Sequence, residues 1–166
     1  MATPPKAGTA PKSPRLHVTP AANLSPDEHL EMGIDMHEKG SLQESTYHLR
    51  LAAHAGHPTG MLLYALACRH GWGMRPNQKE GVSWLKKVTQ LASDEVADDE
   101  NGVTKSAYVE KQGRRAQFAL SIYELGVSHL NGWGTEMDKG LALNCFEIAG
   151  SKYSSVAWKD ERLTRF

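Results

Sequence analysis

The sequence predicts an all-α protein built as a solenoid of stacked helix–turn–helix repeats. Between Pro26 and Gly150 no run alternates apolar and polar residues with the period of two that a half-buried strand requires. The tripeptide Gly71-Trp72-Gly73 recurs 61 residues later as Gly132-Trp133-Gly134, and the residues around each copy also correspond. Because self-similarity at a spacing of this kind is the signature of repeat architectures, the recurrence predicts a solenoid.

A proline-rich tail precedes the repeats. Six of the eight prolines fall in the first 26 residues, among small and basic side chains with almost no large apolar ones. Such a segment cannot bury enough surface to offset the entropy lost on ordering, so residues 1–24 are predicted to be disordered. Ser13 and Thr19 each precede a proline and are candidate phosphorylation sites, with ordinary linker dipeptides as the alternative interpretation.

The first helix is predicted to begin at Pro26. Ser25 occupies the capping position, and Glu28 follows three residues later. A serine and a glutamate at this spacing form a capping box, in which each side chain accepts a hydrogen bond from the other residue's backbone N–H. Proline at the first helical position and acidic residues in the first turn add to the same signal.

Three repeats are predicted, at about residues 26–57, 58–91 and 117–150. In each, a small residue in the first helix allows the paired helix to approach closely. Glycines in the turn permit positive φ, and apolar side chains of the second helix fill the groove between neighbours. The residues assigned to this structural signature are Gly33, Ala65, Gly71, Gly73, Trp84, Gly126, Gly132, Gly134 and Phe146.

Two segments fall outside this pattern. Residues 92–116 separate the second repeat from the third, and their acidic, turn-rich start at 93–102 is interpreted as an inserted solvated loop, with a helix resuming near Lys105. Residues 151–166 interleave apolar and charged side chains. They are interpreted as a C-terminal cap over the last repeat, or as the start of a truncated next repeat.

The repeats resemble a known family. Residues 121–134 (SIYELGVSHLNGWG) are similar to the first half of a Sel1-like repeat, and residues 138–150 to its second half. Residues 37–46 and 64–74 are similar to the fungal mitosis-inhibitor-type Sel1 repeat proteins. The first repeat departs most from the pattern, and Cys145 stands where an aromatic residue is usual.

This resemblance covers about residues 25–150 and carries implications for fold and function. It implies a right-handed, TPR-like α-solenoid, and a non-catalytic scaffold or adaptor that binds another protein or a peptide. More narrowly, it implies a regulator of a cell-cycle protein kinase and of mitotic entry.

Composition excludes several other functions. Nineteen basic and nineteen acidic residues give a formal net charge of zero, which argues against nucleic acid as a partner because phosphate binding needs a basic excess. No apolar run is long enough for a membrane span, and the N-terminal residues do not resemble a secretory signal. A cytoplasmic location, or a nuclear one, is therefore expected. Cys68 and Cys145 are expected to be free, buried thiols.

A small metal-dependent or hydrolytic enzyme on a helical scaffold is the alternative. Gly71-Trp72-Gly73 begins like a dinucleotide-binding fingerprint, but Pro76 occupies its sixth position and no strand precedes it. No G-x-S-x-G motif is present. Four residues could in principle hold zinc, although their spacing is unusual for such a site: His54, His57, Cys68 and His70. We expect no catalytic residue, cofactor or metal.

Overall fold

The computed structural model describes residues 24–98 and 105–152, with side chains described for residues 24–91 and 112–150. These ranges contain six helices and no strand: α1 Pro26–Glu38, α2 Leu42–His54, α3 Pro58–His70, α4 Gln78–Asp98, α5 Lys105–Asn131 and α6 Lys139–Lys152. The predicted all-α fold is confirmed.

The helices pack in chain order. α1 packs on α2, α3 on α4 and α5 on α6, and the junctions between these pairs are made by α2 with α3 and by α4 with α5. The first helices also meet in succession, α1 with α3 and α3 with α5. Within the described residues, each helix pair therefore contacts only its neighbours along the chain, which is the arrangement of an α-solenoid.

The hydrophobic core is continuous over the first two pairs and smaller in the third. The larger cluster contains leucines from α1 to α4 together with the rings of Tyr64 and Trp84. Leu120 and Leu125 of α5 pack against this cluster and so join the third pair to it. Between α5 and α6 the buried cluster consists of Ile122, Cys145 and Ala149, with the ring of Phe118 packed beside them.

Side-chain caps fix the starts of several helices. At α1 the Glu28 N–H donates to Ser25 Oγ at 3.2 Å and the Ser25 N–H donates to Glu28 Oε2 at 2.7 Å, so the predicted capping box and start are confirmed. His57 caps α3 through its ring Nδ1, and Asn77 caps α4 through Oδ1. Asp138 caps α6 in the same way.

The segment between the second and third pairs differs from its prediction. We expected a solvated loop after residue 91 and a helix that resumes near Lys105, but α4 continues to Asp98 before α5 begins at Lys105. Most of the insertion therefore lengthens two packed helices. The physical reason lies in its composition. It contains no proline and several good helix formers, so acidic character alone does not end a helix.

Three predictions lie outside the described residues. They are the disorder of the N-terminal tail, the phosphorylation of Ser13 and Thr19, and the role of the segment after Lys152 as a cap. No helix in the described part of the chain is both long enough and apolar enough to cross a membrane.

Candidate interaction surface

Small residues in the first helices lie at close contacts with the paired second helices. A β-carbon added to Gly33 would lie 2.8 Å from Leu49 Cδ2 across the α1–α2 contact. One added to Gly126 would lie 2.9 Å from Cys145 Cβ and 2.8 Å from Phe146 Cε1 across the α5–α6 contact. Real β-carbons essentially never sit so close to their neighbours. A larger residue at Gly126 would therefore push the paired helices apart, and one at Gly33 would displace the buried Leu49 side chain.

The second repeat uses an alanine at the equivalent place. Ala65 is completely buried, and its carbonyl oxygen lies where it would be 2.9 Å from a β-carbon on Gly81 of α4. Farther along α4, the ring of Trp84 is 6% exposed and meets the ring of Tyr64 edge to face, with centroids 5.6 Å apart. In the third repeat, half-buried Phe146 lies beside Tyr123.

The turns between paired helices reach the preceding repeat. Gly73 and Gly134 both have positive φ, 65° and 71°. A β-carbon at Gly73 would collide with the backbone at the start of α2, near Leu42, and one at Gly134 would collide with the start of α4, near Gln78. Each turn therefore lies against the second helix of the repeat before it. The other turn glycines of the predicted signature also have positive φ: Gly71 and Gly132.

Two open clefts adjoin these turn contacts at equivalent places. The first is about 190 Å³ and lies between α2, α3 and the turn at Gly73, with Tyr47, Arg50, Tyr64 and Met74 among its lining residues. The second is about 650 Å³ and lies between the start of α4 and the turn at 132–136. Both clefts are open to solvent. This openness suits the side chains of a partner protein better than a small molecule, which usually binds in an enclosed pocket.

A row of histidine and tryptophan rings crosses all three repeats. The His37 ring at the end of α1 meets the Trp72 ring edge to face, with ring centroids 5.0 Å apart. The His70 ring stacks on the same indole, with centroids 5.5 Å apart. The His70 ring also meets the Trp133 ring of the third repeat in an edge-to-face arrangement, with centroids 6.4 Å apart. Burial lowers the pKa of His37 and of His70 below the usual value of 6.5, so both rings are neutral at pH 7.

A buried ion pair joins the second repeat to the third. The Arg69 guanidinium donates to Glu124 Oε2 at 2.5 Å and to the Glu124 carbonyl oxygen at 3.3 Å. The Arg69 side chain is 5% exposed, and its Cζ lies 5.4 Å from the centre of the Trp133 ring. Its position against α5 makes it a junction residue rather than part of an accessible surface.

A second buried pair lies within the first repeat. The Nδ1 atoms of His29 on α1 and His48 on α2 are 3.0 Å apart, and both side chains are buried. Such a hydrogen bond requires one ring to donate and the other to accept, so at least one ring is neutral. Burial lowers the pKa of His48, and the neighbouring His29 lowers it further.

The four residues considered as zinc ligands do not converge. His54 lies against Trp84, His57 caps α3 and pairs with an aspartate of α1, and His70 stacks on Trp72. In the part of the chain that the structure describes, no group of three histidine, cysteine or acidic residues could hold a metal ion.

Both cysteines are free and buried, as predicted. Burial raises the pKa of the Cys68 thiol to about 11, and it also raises the pKa of Cys145. Both thiols therefore stay protonated at neutral pH, whereas a nucleophilic cysteine must be ionised.

The exposed sides of the second helices differ along the solenoid. α2 presents Tyr47 and Arg50, and α4 presents lysines at positions 79, 86 and 87. α6 instead presents three apolar side chains, each more than 40% exposed: Leu141, Leu143 and Ile148. Sequence reasoning missed the basic surface formed by the lysines of α4 because it considered only the net charge of the whole chain. The spacing of seven between Lys79 and Lys86 was a signal that could have revealed it.

Comparison with known families decides the identity of these repeats. A model of the Sel1 repeat matches residues 21–57, 58–91 and 119–154, which together make up more than half of the chain. The chain belongs to the Sel1 repeat family. The recognition of three Sel1-like repeats from the sequence is therefore confirmed, and the helix pairs described above are Sel1 repeats.

The chain is similar to two fungal proteins. It is 30% identical over 150 residues to "Mitosis inhibitor nif1" of Schizosaccharomyces pombe, covering 84% of this chain and 21% of that protein. It is 32% identical over 126 residues to "Protein DSF2" of Saccharomyces cerevisiae, covering 74% of this chain and 17% of that protein. The chain thus spans about a fifth of the length of these relatives.

A Sel1 repeat protein of solved structure is also similar. The crystal structure from Oxalobacter formigenes matches with a TM-score of 0.41 at 19% sequence identity, covering 80% of this chain and 60% of that one.

Proposed function

We propose that this chain is a non-catalytic interaction module that binds a protein in the control of mitotic entry, either a protein kinase or a protein bound to one. The observation that carries the first part is the match of three consecutive Sel1 repeats, which build a surface rather than an enclosed chamber. The partner identity rests on similarity to a relative named as a mitosis inhibitor.

The features of the surface support a binding role. Both clefts at the repeat junctions are open, and they lie where the turn of one repeat meets the second helix of the repeat before it. Buried Arg69 and half-buried Glu124 form an ion pair that joins the second and third repeats. Open clefts at successive repeat junctions suit an extended partner segment.

The experiment is quantitative affinity purification of the full chain from the cells that produce it, in asynchronous culture and after arrest before mitosis. Partners are identified by mass spectrometry, and each enriched kinase is then tested for a direct complex with purified chain. Gly126→Leu, which distorts the third repeat, serves as the disrupted variant. Gly113→Ala is the matched control, because a β-carbon at Gly113 of the same helix meets nothing within 4 Å.

The proposal predicts a stoichiometric complex that contains a cell-cycle kinase, is kept by Gly113→Ala and is reduced by Gly126→Leu in proportion to the helix content that this variant loses. A direct partner with no connection to mitotic kinases would overturn the kinase assignment and leave the interaction module standing. Retention of every partner by a Gly126→Leu chain that circular dichroism shows to have lost its helices would overturn the interaction module itself.

A further inference from the structure

We propose that the exposed side of α2 and α4 binds an acidic segment of a partner protein, and that one apolar side chain of that segment enters the cleft beside Tyr47. We call this surface the basic face and define it by Tyr47, Arg50, Lys79, Lys86 and Lys87. The proposal rests on the proposed function and specifies the surface and the chemistry of the ligand.

The lysines of α4 share one side of the helix. Lys79, Lys86 and Lys87 are all exposed, and at 3.6 residues per turn positions 79, 83, 86, 87 and 90 fall on the same face. Among the described side chains of α4, the acidic one is Glu80, and its carboxylate already accepts hydrogen bonds within the chain. Its carboxylate accepts hydrogen bonds from the Tyr64 hydroxyl at 3.0 Å and from the Asn77 side chain at 2.9 Å.

The cations of the basic face lack carboxylate partners among the described side chains. The three ion pairs found there involve Lys39, His57 and Arg69, none of which belongs to this face. On α2, exposed Glu44 lies about 120° around the helix from Arg50 at the regular rotation per residue. The basic face therefore offers a positive surface that an acidic ligand would neutralise.

Aromatic rings position two of the cations. The Lys87 ammonium lies 4.1 Å from the centre of the Trp84 ring, and the Arg50 guanidinium carbon lies 5.9 Å from the centre of the Tyr47 ring. Packing over a ring limits the freedom of a long side chain, so less entropy is lost when a carboxylate binds.

The cleft beside Tyr47 supplies an anchor point at the edge of this charged surface. Tyr47, Tyr64 and Met74 provide apolar walls, Arg50 stands in its lining, and its volume is about 190 Å³. Tyr47 is 44% exposed, so its ring is accessible to a ligand. A leucine or phenylalanine flanked by aspartate or glutamate would place its side chain in the cleft and a neighbouring carboxylate near Arg50.

Fluorescence anisotropy with the full chain tests this inference. The probe is a labelled peptide of about a dozen residues, rich in aspartate and glutamate with one central leucine. It is compared with the same peptide carrying serine in place of leucine, with a lysine-rich peptide, and with a single-stranded oligonucleotide of equal length. The variants are Lys86→Glu and Tyr47→Ala. The matched control is Lys139→Glu, the same charge reversal on exposed α6.

The inference predicts that the acidic peptide binds more tightly than the other three probes and that added salt weakens its binding. Lys86→Glu should weaken binding by about fivefold or more, since it removes an attraction and adds a repulsion. Tyr47→Ala should abolish the advantage of leucine over serine, and Lys139→Glu should leave the affinity unchanged.

Three results would overturn the inference. They are equal affinity for acidic and lysine-rich peptides, an equal loss in Lys86→Glu and Lys139→Glu, or tighter binding of the oligonucleotide than of the acidic peptide. Thermal melting of each variant shows that it remains folded. If the cellular partner is captured equally well by wild-type chain and Lys86→Glu, the basic face is wrong while the interaction module stands.

Discussion

Replacing Gly126 by leucine tests the structural basis of the repeat most sharply. Even a methyl group at this position would lie 2.9 Å from Cys145 Cβ and 2.8 Å from Phe146 Cε1. The Phe146 ring is half-buried and can rotate away, but the Cys145 β-carbon is fixed to the α6 backbone. The helices must therefore separate by several tenths of an ångström for alanine, and by more for leucine. Overpacking of this kind costs about 1–3 kcal/mol.

Equilibrium urea denaturation and thermal melting, both followed by circular dichroism at the helix band, measure this cost. At about 4 °C per kcal/mol for a domain of this size, the melting midpoint of Gly126→Leu should fall by about 4–12 °C. Gly113→Ala in the same helix should instead raise stability by about 0.5–1 kcal/mol, because alanine is a better helix former and its β-carbon meets nothing. A Gly126→Leu chain that melts with the wild type would refute the assignment of Gly126 to the α5–α6 contact.

Three further measurements test separate parts of the structure. The pKa of His48 is lower in the folded chain than in the unfolded one. The stability that follows from this difference is fully present above about pH 6.5, the usual pKa of histidine, and is lost as the pH falls through the lower folded pKa. The melting midpoint should therefore drop between about pH 7.5 and pH 5.5. His48→Asn should reduce that drop, whereas His54→Asn, at an exposed position, should keep it. An identical pH dependence in both variants would exclude His48 as the cause. Glu124→Leu should cost about 3–5 kcal/mol in urea denaturation because it leaves the buried Arg69 charge without its carboxylate. Adding Arg69→Met should recover a large part of that loss, and a double variant no more stable than Glu124→Leu would contradict this account of the pair. Deletion of residues 151–166 should promote association detectable by light scattering, since α6 presents exposed Leu141, Leu143 and Ile148; a monomeric chain with an unchanged melting midpoint would show that this segment caps nothing.

The fold was predictable because its strongest determinants are local. The capping box at Ser25 depends on residues three positions apart, and the repeated Gly-Trp-Gly turn marks where one helix ends and its partner begins. The segment after Leu91 was not predictable in the same way. There the acidic composition favoured a solvated loop, while the lack of proline allowed α4 and α5 to extend.

The interaction surface was harder to predict because it depends on contacts between repeats. Arg69 and Glu124 are 55 positions apart, and nothing in either local sequence indicates that they pair. The His37–Trp72 and His70–Trp133 ring contacts form only when the three repeats stack. The lysines of α4 form a basic face because the carboxylate of Glu80 is engaged by Tyr64, a contact that composition cannot reveal.

The central claim is that the folded Sel1 repeats bind a partner protein directly through the basic face on α2 and α4. Hydrogen–deuterium exchange of the purified full chain, alone and with the purified partner recovered from cells, tests this claim most directly. The account predicts slower exchange in α2 and α4 on binding, with little change in α6. Unchanged exchange throughout residues 42–91 in a chain saturated with partner would contradict it.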